Sequence, residues 1–363
     1  MAQNPNNRVE RVAIVGAGGN VGKPIAAALL ATGRHTVTAL TRAGSDTSSF
    51  PSGLLISTVN YDDPETIVAA LKGQQFLVIT LSVHSPPDTH RKICDAAAAA
   101  GVKYVMPNYW GEDLNNTALN ADMIIGETYK ANIADVERHA ATAGMSWVAL
   151  VCGTWYEYSL SLGPDFYGFD MHNKTATFYD DGTAKINTTT WAQCGRAVAA
   201  FLDLPEHGEG GKKGVSDWAN KGLYVSSFRV SQRDMLDSLN RVMGLADADW
   251  KIAKVDAKER HYSAKEAFFA GDMRGLGRAM YARIFWPNAE FKGAQSADGD
   301  YETPRGGLDH KVLGLPEEEE DLDEATKLGV DMALGGFRKV MEERARAAGS
   351  AQAKLDSSTV ASV

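Results

Sequence analysis

The sequence predicts an α/β protein, a doubly wound parallel sheet with helices on both faces, joined to a smaller C-terminal α+β lobe. Three observations predict it. Short apolar, β-branched runs alternate with helical stretches at crossover lengths from residue 11 to about 155. The first strand turns into its helix through closely spaced glycines. Beyond residue 160 the alternation gives way to segments rich in Gly, Asp, Tyr and Phe. The expected division is therefore a sheet domain over 1–160, to which 187–243 partly returns, a lobe over 161–347, and a small, polar, disordered tail over 348–363.

Arg11–Val15 (RVAIV) is the pattern of a strand buried on both faces. Gly16, Gly18, Gly19 and Gly22 follow, then an Ala/Leu-rich helix that stops at Gly33. A strand that turns sharply into a helix aims several unpaired backbone N–H groups at one point, with the positive end of the helix dipole behind them. Such a turn is built to take a phosphate. Gly16 permits the turn, Gly18 and Gly19 let backbone approach a pyrophosphate beside Asn20 and Val21, and Gly22 lets helix and strand pack closely. Gly16, Gly19 and Gly22 satisfy G-x-x-G-x-x-G, while Val21 breaks the stricter G-x-G-x-x-G. In this context the motif predicts a Rossmann-type dinucleotide site.

His35–Leu40 reads as the second strand and ends at Thr41-Arg42, beside the adenosine ribose of such a fold. An acid there would bind the ribose 2′-hydroxyl. Arg42, with Ser45 close behind, suits a 2′-phosphate instead, so the cofactor expected is NADPH/NADP+. Leu54–Val59 is a third strand, and a helix runs from Asp63-Pro64 to Gly73. Phe76–Leu81 is the fourth, and its exit loop, with Ser82 and His84, is expected at the nicotinamide half. Thr89–Ala100 is helical, Lys103–Met106 is the fifth strand, and Pro107-Asn108-Tyr109-Trp110-Gly111 leaves it. A helix from about Ile125 to Ala143 precedes the sixth strand, Ser146–Val151, which exits into Trp155, Tyr156 and Tyr158. Trp191–Leu204 reads as a helix, Leu223–Ser227 as a strand, and Ser231 as the N-cap of a helix to Met243. Residues 250–315 give no clear pattern, and Glu317–Ala347 is an amphipathic helical stretch with an acidic start.

Composition narrows the class. A chain of 363 residues, 44% hydrophobic and 23% charged, is ordinary for a globular protein. A net charge of −9 argues against a nucleic-acid partner, which needs clustered Lys and Arg. No apolar run reaches a membrane span, and MAQNPNNRVER is no signal peptide. Three widely spaced cysteines suggest neither a disulfide framework nor a zinc site, which points to the cytoplasm. The expected partner is a small molecule, with the protein a monomer or homodimer.

The glycine turn GAGGNVGK, Thr41-Arg42, AAAAAGVKYVMPNYWG, VCGTWYEYSL and LGLPEEEEDLDEATKLG together span most of residues 10–335. In these segments the chain resembles the NmrA-like, isoflavone-reductase-like branch of the atypical short-chain dehydrogenases, above all its fungal members. The resemblance implies an NADPH-binding domain, a C-terminal substrate lobe and reduction of aromatic secondary metabolites. It also implies a general acid/base lysine on the helix before the sixth strand, where this sequence offers Lys130, so that its loss would slow turnover. Many relatives carry Glu where this chain has Tyr109, a second candidate proton donor or a packing residue. The Tyr-x-x-x-Lys pair of classical short-chain dehydrogenases is absent.

Trp110, Trp155, Tyr156 and Tyr158 are expected to line an apolar pocket, and Leu81, Pro107 and Asn108 to touch the cofactor. The expected activity is reduction of a carbonyl, imine or conjugated alkene in an aromatic or alkaloid-like molecule. Two alternatives stand beside it: an NADP(H)-sensing regulator without turnover, and a non-redox isomerase or cyclase. No His/Cys/Asp/Glu spacing suggests a metal.

Overall fold

The computed structural model describes residues 6–48, 50–82, 84–286, 308–315, 320–336 and 339. The chain begins with β1 (Arg11–Val15), α1 (Gly22–Ala31), β2 (Thr36–Arg42), β3 (Leu55–Val59), α2 (Pro64–Leu71), β4 (Phe76–Ile79) and α3 (Thr89–Ala100). There follow β5 (Tyr104–Met106), β6 (Trp110–Gly111), α4 (Thr117–Asp122), α5 (Gly126–Glu137), α6 (Ala140–Ala143) and β7 (Ser146–Val151). The chain leaves this first unit within β8 (Thr154–Trp155) for α7 (Tyr156–Ser161), β9 (Phe169–Asp170) and β10 (Thr175–Tyr179). It returns within β11 (Lys185–Thr189) to place α8 (Trp191–Leu202) and β12 (Lys221–Tyr224), and leaves again within β13 (Phe228–Ser231). The second unit continues with α9 (Gln232–Met243), β14 (Lys251–Val255), α10 (Ala257–Phe269) and α11 (Gly275–Phe285). Of the last two helices, α12 (His310–Leu313) belongs to the first unit and α13 (Leu322–Gly335) to the second.

The first unit is a parallel sheet in the order β3-β2-β1-β4-β5-β7-β12. On one face Ala13, Val15, Leu77, Ile79, Val105 and Ala149 form a core with Ile67 of α2, Ile93 and Ala97 of α3 and Val136 of α5. The intervening residues Val12, Ile14, Phe76 and Val78 are equally buried, and Phe76 meets Phe201 of α8 edge-on at 6.2 Å. Both faces of the sheet are thus covered, and the unbroken apolar runs of its strands follow from that. On the second face α8 meets α1 so closely that a Cβ on Gly195 would lie 2.6 Å from the Pro24 carbonyl oxygen.

The second unit is built on the small sheet β14-β10-β9, in which β10 runs parallel to β14 and antiparallel to β9. Gln232 organises its interior. The amide nitrogen of Gln232 donates to the carbonyls of Tyr167 and Thr177, both at 2.8 Å, and its oxygen accepts from the N–H of Tyr179 at 2.7 Å. Ser231 caps α9 in a capping box with Asp234, as its position before the helical run predicts.

The structure departs from the sequence reading in three stretches and keeps a fourth. The helix expected over Ile125–Ala143 is two helices, α5 and α6, with Arg138 and His139 between them both bound to Asp95 of α3, at 2.9 and 2.7 Å. No Gly or Pro marks this break, so the sequence carries no signal for it. The strand expected over Leu223–Ser227 lies at Lys221–Tyr224, and Phe228–Ser231 is a further strand. Residues 250–286 resolve into one strand and two helices. The acidic C-terminal helix is present as α13, capped by Asp321, whereas the rest of Glu317–Ala347 and the tail from 348 lie largely outside the described residues.

Candidate functional site

The carboxyl end of the sheet is where an open α/β fold binds its ligand. Gly16 lies there in the left-handed region, φ +81°, and any Cβ on it would overlap the Thr80 carbonyl oxygen. A Cβ on Gly22 would overlap the Gly16 carbonyl oxygen. These two glycines are sterically required. Thr80 locks the turn, its hydroxyl donating to the Val15 carbonyl at 2.8 Å and lying 3.1 Å from that of Gly16. Gly18 lies against the ring of Phe50, which would meet a Cβ at 2.7 Å.

The Gly19 N–H is spent inside the turn, on the Gly16 carbonyl at 2.9 Å. Among the described residues the N–H groups of Asn20, Val21 and Gly22 have no acceptor, and the N-cap Val21 supplies no side-chain cap. No acid stands in the first turn of α1. Lys23, unremarked in the sequence reading, lies in that turn, half-buried and without an ion-pair partner among the described residues, and burial lowers its pKa. Arg42 stands exposed at the end of β2, also without an acidic partner among the described residues, with Ser45 exposed beside it and Thr41 buried. Three open donors and two uncompensated cations fit the pyrophosphate and ribose phosphate of a dinucleotide.

The exits of β4 and β5 are clipped together by Asn108. Its side-chain oxygen accepts from the N–H of Leu81 at 3.0 Å, and its amide nitrogen donates to the Leu81 carbonyl at 3.3 Å. Its own backbone is held in turn. The N–H of Asn108 donates to Nε2 of His90 at 3.3 Å, and Asn132 donates to its carbonyl at 3.0 Å. Nδ1 of the buried His90 meets Asp135 at 3.0 Å, so this ring carries its proton on Nδ1 and accepts on Nε2. Burial opposes the charge on Asp135, but hydrogen bonds from His90 and Arg91 win and hold its pKa down. Sequence reasoning missed His90, Asn132 and Asp135, because helical residues spaced for the inner face look like packing. Pro107 is buried beside this clip, while Ser82 and His84 are exposed.

Other expected site residues are placed differently. Lys130 points away from the core on α5, its side chain 58% exposed and paired with Glu127 at 2.7 Å. The helical register puts Tyr129 and Asn132 inward and leaves Lys130 in solvent. Tyr109 is buried against Tyr129, ring centroids 4.4 Å apart, and its hydroxyl donates to the Glu112 carbonyl at 2.7 Å. Burial pushes its pKa far up, and its hydroxyl is spent on that carbonyl, so Tyr109 packs inside the unit. Trp110 is a strut, Nε1 donating to the Ile79 carbonyl at 3.0 Å. Tyr156 is fully buried, its hydroxyl bonded to Thr326 at 2.7 Å. Trp155 and Tyr158 remain half-buried, edge to face with centroids 6.0 Å apart.

Glu112 was not anticipated at all. It follows β6, is only 7% exposed, and its carboxyl makes no hydrogen bond among the described residues. Burial, and secondarily the neighbouring Asp113, push its pKa up to about 8. Asp113 is itself satisfied, by the Tyr224 hydroxyl at 2.7 Å and the Asn115 N–H at 2.9 Å. Among the described residues no group of His, Cys, Asp and Glu is placed to hold a metal ion, and no helix is long and apolar enough to cross a membrane.

A family model described as NAD(P)H-binding matches residues 16–157. Oxidoreductase aprR of Aspergillus flavus is 32% identical over 273 residues, covering 74% of this chain and 85% of that protein. Oxidoreductase poxI of Penicillium oxalicum is 29% identical over 264 residues, 70% of this chain and 76% of that one. Among solved structures, AtPrR2 with NADP+ and (+)-pinoresinol superposes with a TM-score of 0.67 at 19% identity, over 88% of this chain and 98% of that one. At that identity the likeness establishes the fold.

Two outcomes follow from this geometry. Replacing Asn108 by Ala strands the N–H and carbonyl of Leu81, so stability falls by about 1–3 kcal/mol in denaturant melts, and dinucleotide affinity measured by calorimetry falls with it. Glu112 keeps its proton in the fold to about pH 8, whereas the unfolded chain releases it near the ordinary value of about 4.3. Its contribution to stability is therefore full below that ordinary value and is lost as pH rises towards 8. Glu112→Gln is expected to raise the Tm at pH 8 but not at pH 4.5, and an equal Tm at both would contradict the buried acid.

Proposed function

The chain belongs to the NmrA-like, isoflavone reductase-like family of NAD(P)H-dependent oxidoreductases, and from that premise we propose that it takes hydride from NADPH to reduce a hydrophobic, aromatic or heterocyclic small molecule. The observation that carries the phosphorylated cofactor is Arg42, a guanidinium that no acid neutralises among the described residues, at the end of the strand beside which the adenosine ribose of this fold is expected. Bidentate contact with a 2′-phosphate gives that cation its partner. The aromatic substrate class is supported by (+)-pinoresinol in AtPrR2 and by the half-buried rings of Trp155 and Tyr158. The bond reduced is a carbonyl, imine or conjugated alkene. All three cysteines are buried free thiols, which supports a reducing compartment, the cytoplasm.

When bound, the nicotinamide supplies a hydride equivalent. The chain's residues bind and orient. The N–H groups of Asn20, Val21 and Gly22, with Lys23, hold the pyrophosphate; Arg42 and Ser45 hold the ribose phosphate; Asn108 fixes the Leu81-Ser82 backbone on which the nicotinamide half rests. Lys130 takes no part in proton transfer, since its ammonium is solvated and already paired with Glu127.

Arg42→Glu is expected to weaken NADPH by about 10- to 100-fold, the loss of charge-assisted hydrogen bonds worth about 1.5–3 kcal/mol, while NADH binding changes little; equal losses by calorimetry would refute the phosphate assignment. Lys130→Ala is expected to keep turnover within about twofold of wild type, as an exposed i,i+3 pair contributes only about 0.5 kcal/mol. A large drop in kcat would return the lysine to the mechanism.

A further inference from the structure

The reductase reading leaves a proton unaccounted for, because Lys130 lies in solvent and the Tyr109 hydroxyl is committed to a carbonyl. Among the described residues a further titratable group, with no hydrogen bond on its side chain, lies at the carboxyl edge of the sheet. Residues Trp110–Gly111 pair with Leu150–Val151 at the end of β7, and the N–H groups of Cys152 and Gly153 both donate to the Gly111 carbonyl at 3.0 Å. Glu112 comes next. The loop that carries it is anchored by Trp110 to Ile79, the last residue of β4, one residue from the Thr80 that locks the glycine turn.

We propose that Glu112 is the proton donor of this reductase. The proposal rests on the reductase reading. A carboxyl only 7% exposed, with no hydrogen bond among the described residues, is far cheaper to keep neutral than charged. The titratable groups around it are Asp113 on its own loop, Tyr109 from the β5 exit and Tyr129 from α5, all acids or phenols. Among the described residues no cation offsets its burial, so it holds its proton at neutral pH. Asp113, one residue on, differs in every respect that matters: its carboxylate is bonded to Tyr224 and Asn115, which makes it the structural acid of the pair. Two adjacent buried acids with opposite satisfaction divide into one support and one functional group.

The step balances. As hydride reaches the electrophilic carbon of the substrate, the π pair moves to the oxygen or nitrogen, or to the far carbon of a conjugated alkene. That atom takes the proton of Glu112. The substrate is reduced by two electrons, the dinucleotide is left as NADP+, and the carboxylate is reprotonated from water.

Two readouts test the assignment. Infrared difference spectra of the protein between pH 6 and 9.5 should show a protonated-carboxyl band lost near pH 8 and missing from Glu112→Gln. With any aromatic ketone, enone or cyclic imine that the wild type reduces, kcat should fall as pH rises through the same range. Glu112→Gln should lower kcat by about 100- to 1,000-fold, within the span of general acid catalysis, with a flat pH profile and an unchanged NADPH affinity. A Glu112→Gln protein that turns over at the wild-type rate with the wild-type pH profile would overturn the proposal and leave the reductase standing. So would the absence of the band from the wild type. A wild type that binds NADPH but oxidises it with no acceptor would instead overturn the reductase reading, and the role of Glu112 with it.

Discussion

The architecture of the first unit turns on three backbone N–H groups left open at the start of α1. Several helices cap their first turn with a side chain, at Asp63, Asn116, Thr190 and Ser231 among others, whereas α1, like α3, α5 and α11, does not. Keeping those donors open requires the chain to leave β1 through a left-handed residue, which is why Gly16 has no substitute, and to bring α1 against the turn, which is why Gly22 has none. Thr80 then braces the turn from β4, and Asn108 braces the β4 exit from β5. Each strand exit holds the next, so the site is a chain of short polar contacts laid across the ends of rigid strands.

Much of this was legible in the sequence. The parallel sheet announces itself in apolar runs with no alternation, because strands covered on both faces have no polar side to show. The glycine turn announces itself in the same way, since a left-handed φ and a close approach each exclude other residues. The position of Arg42 was legible too, exposed at the end of β2 as the sequence reading has it. What was not legible are contacts that depend on helical phase at one-residue precision. Lys130 and Asn132 are two residues apart on α5. Only the register decides that the asparagine reaches the Asn108 carbonyl while the lysine meets solvent and Glu127. The break at Arg138 and His139 was invisible for a related reason: it coincides with contacts to Asp95 of α3, more than forty residues earlier, and not with any local helix breaker.

Glu112 illustrates a different limit. In a one-dimensional reading the acid after Trp110-Gly111 is an ordinary polar loop residue, and its neighbour Asp113 looks equivalent. Folding separates them. Tyr224 comes from β12, more than a hundred residues on, and satisfies Asp113 alone. The unsatisfied acid destabilises the fold at neutral pH, a cost typical of groups kept for chemistry. The aromatic residues err the other way. Their composition suggested a pocket lining, but Trp110 and Tyr156 are spent on struts and core, since large rings contribute most when buried.

The open N-terminus of α1 and the exposed Arg42 both predict cofactor binding directly. Calorimetric titration of the purified protein with NADPH and with NADH should give saturable one-site binding, with NADPH tighter by at least about tenfold, as one charge-assisted phosphate contact implies. Equal affinities would remove Arg42 from the site, and no binding of either would contradict the reading of the open helix N-terminus as a dinucleotide cradle.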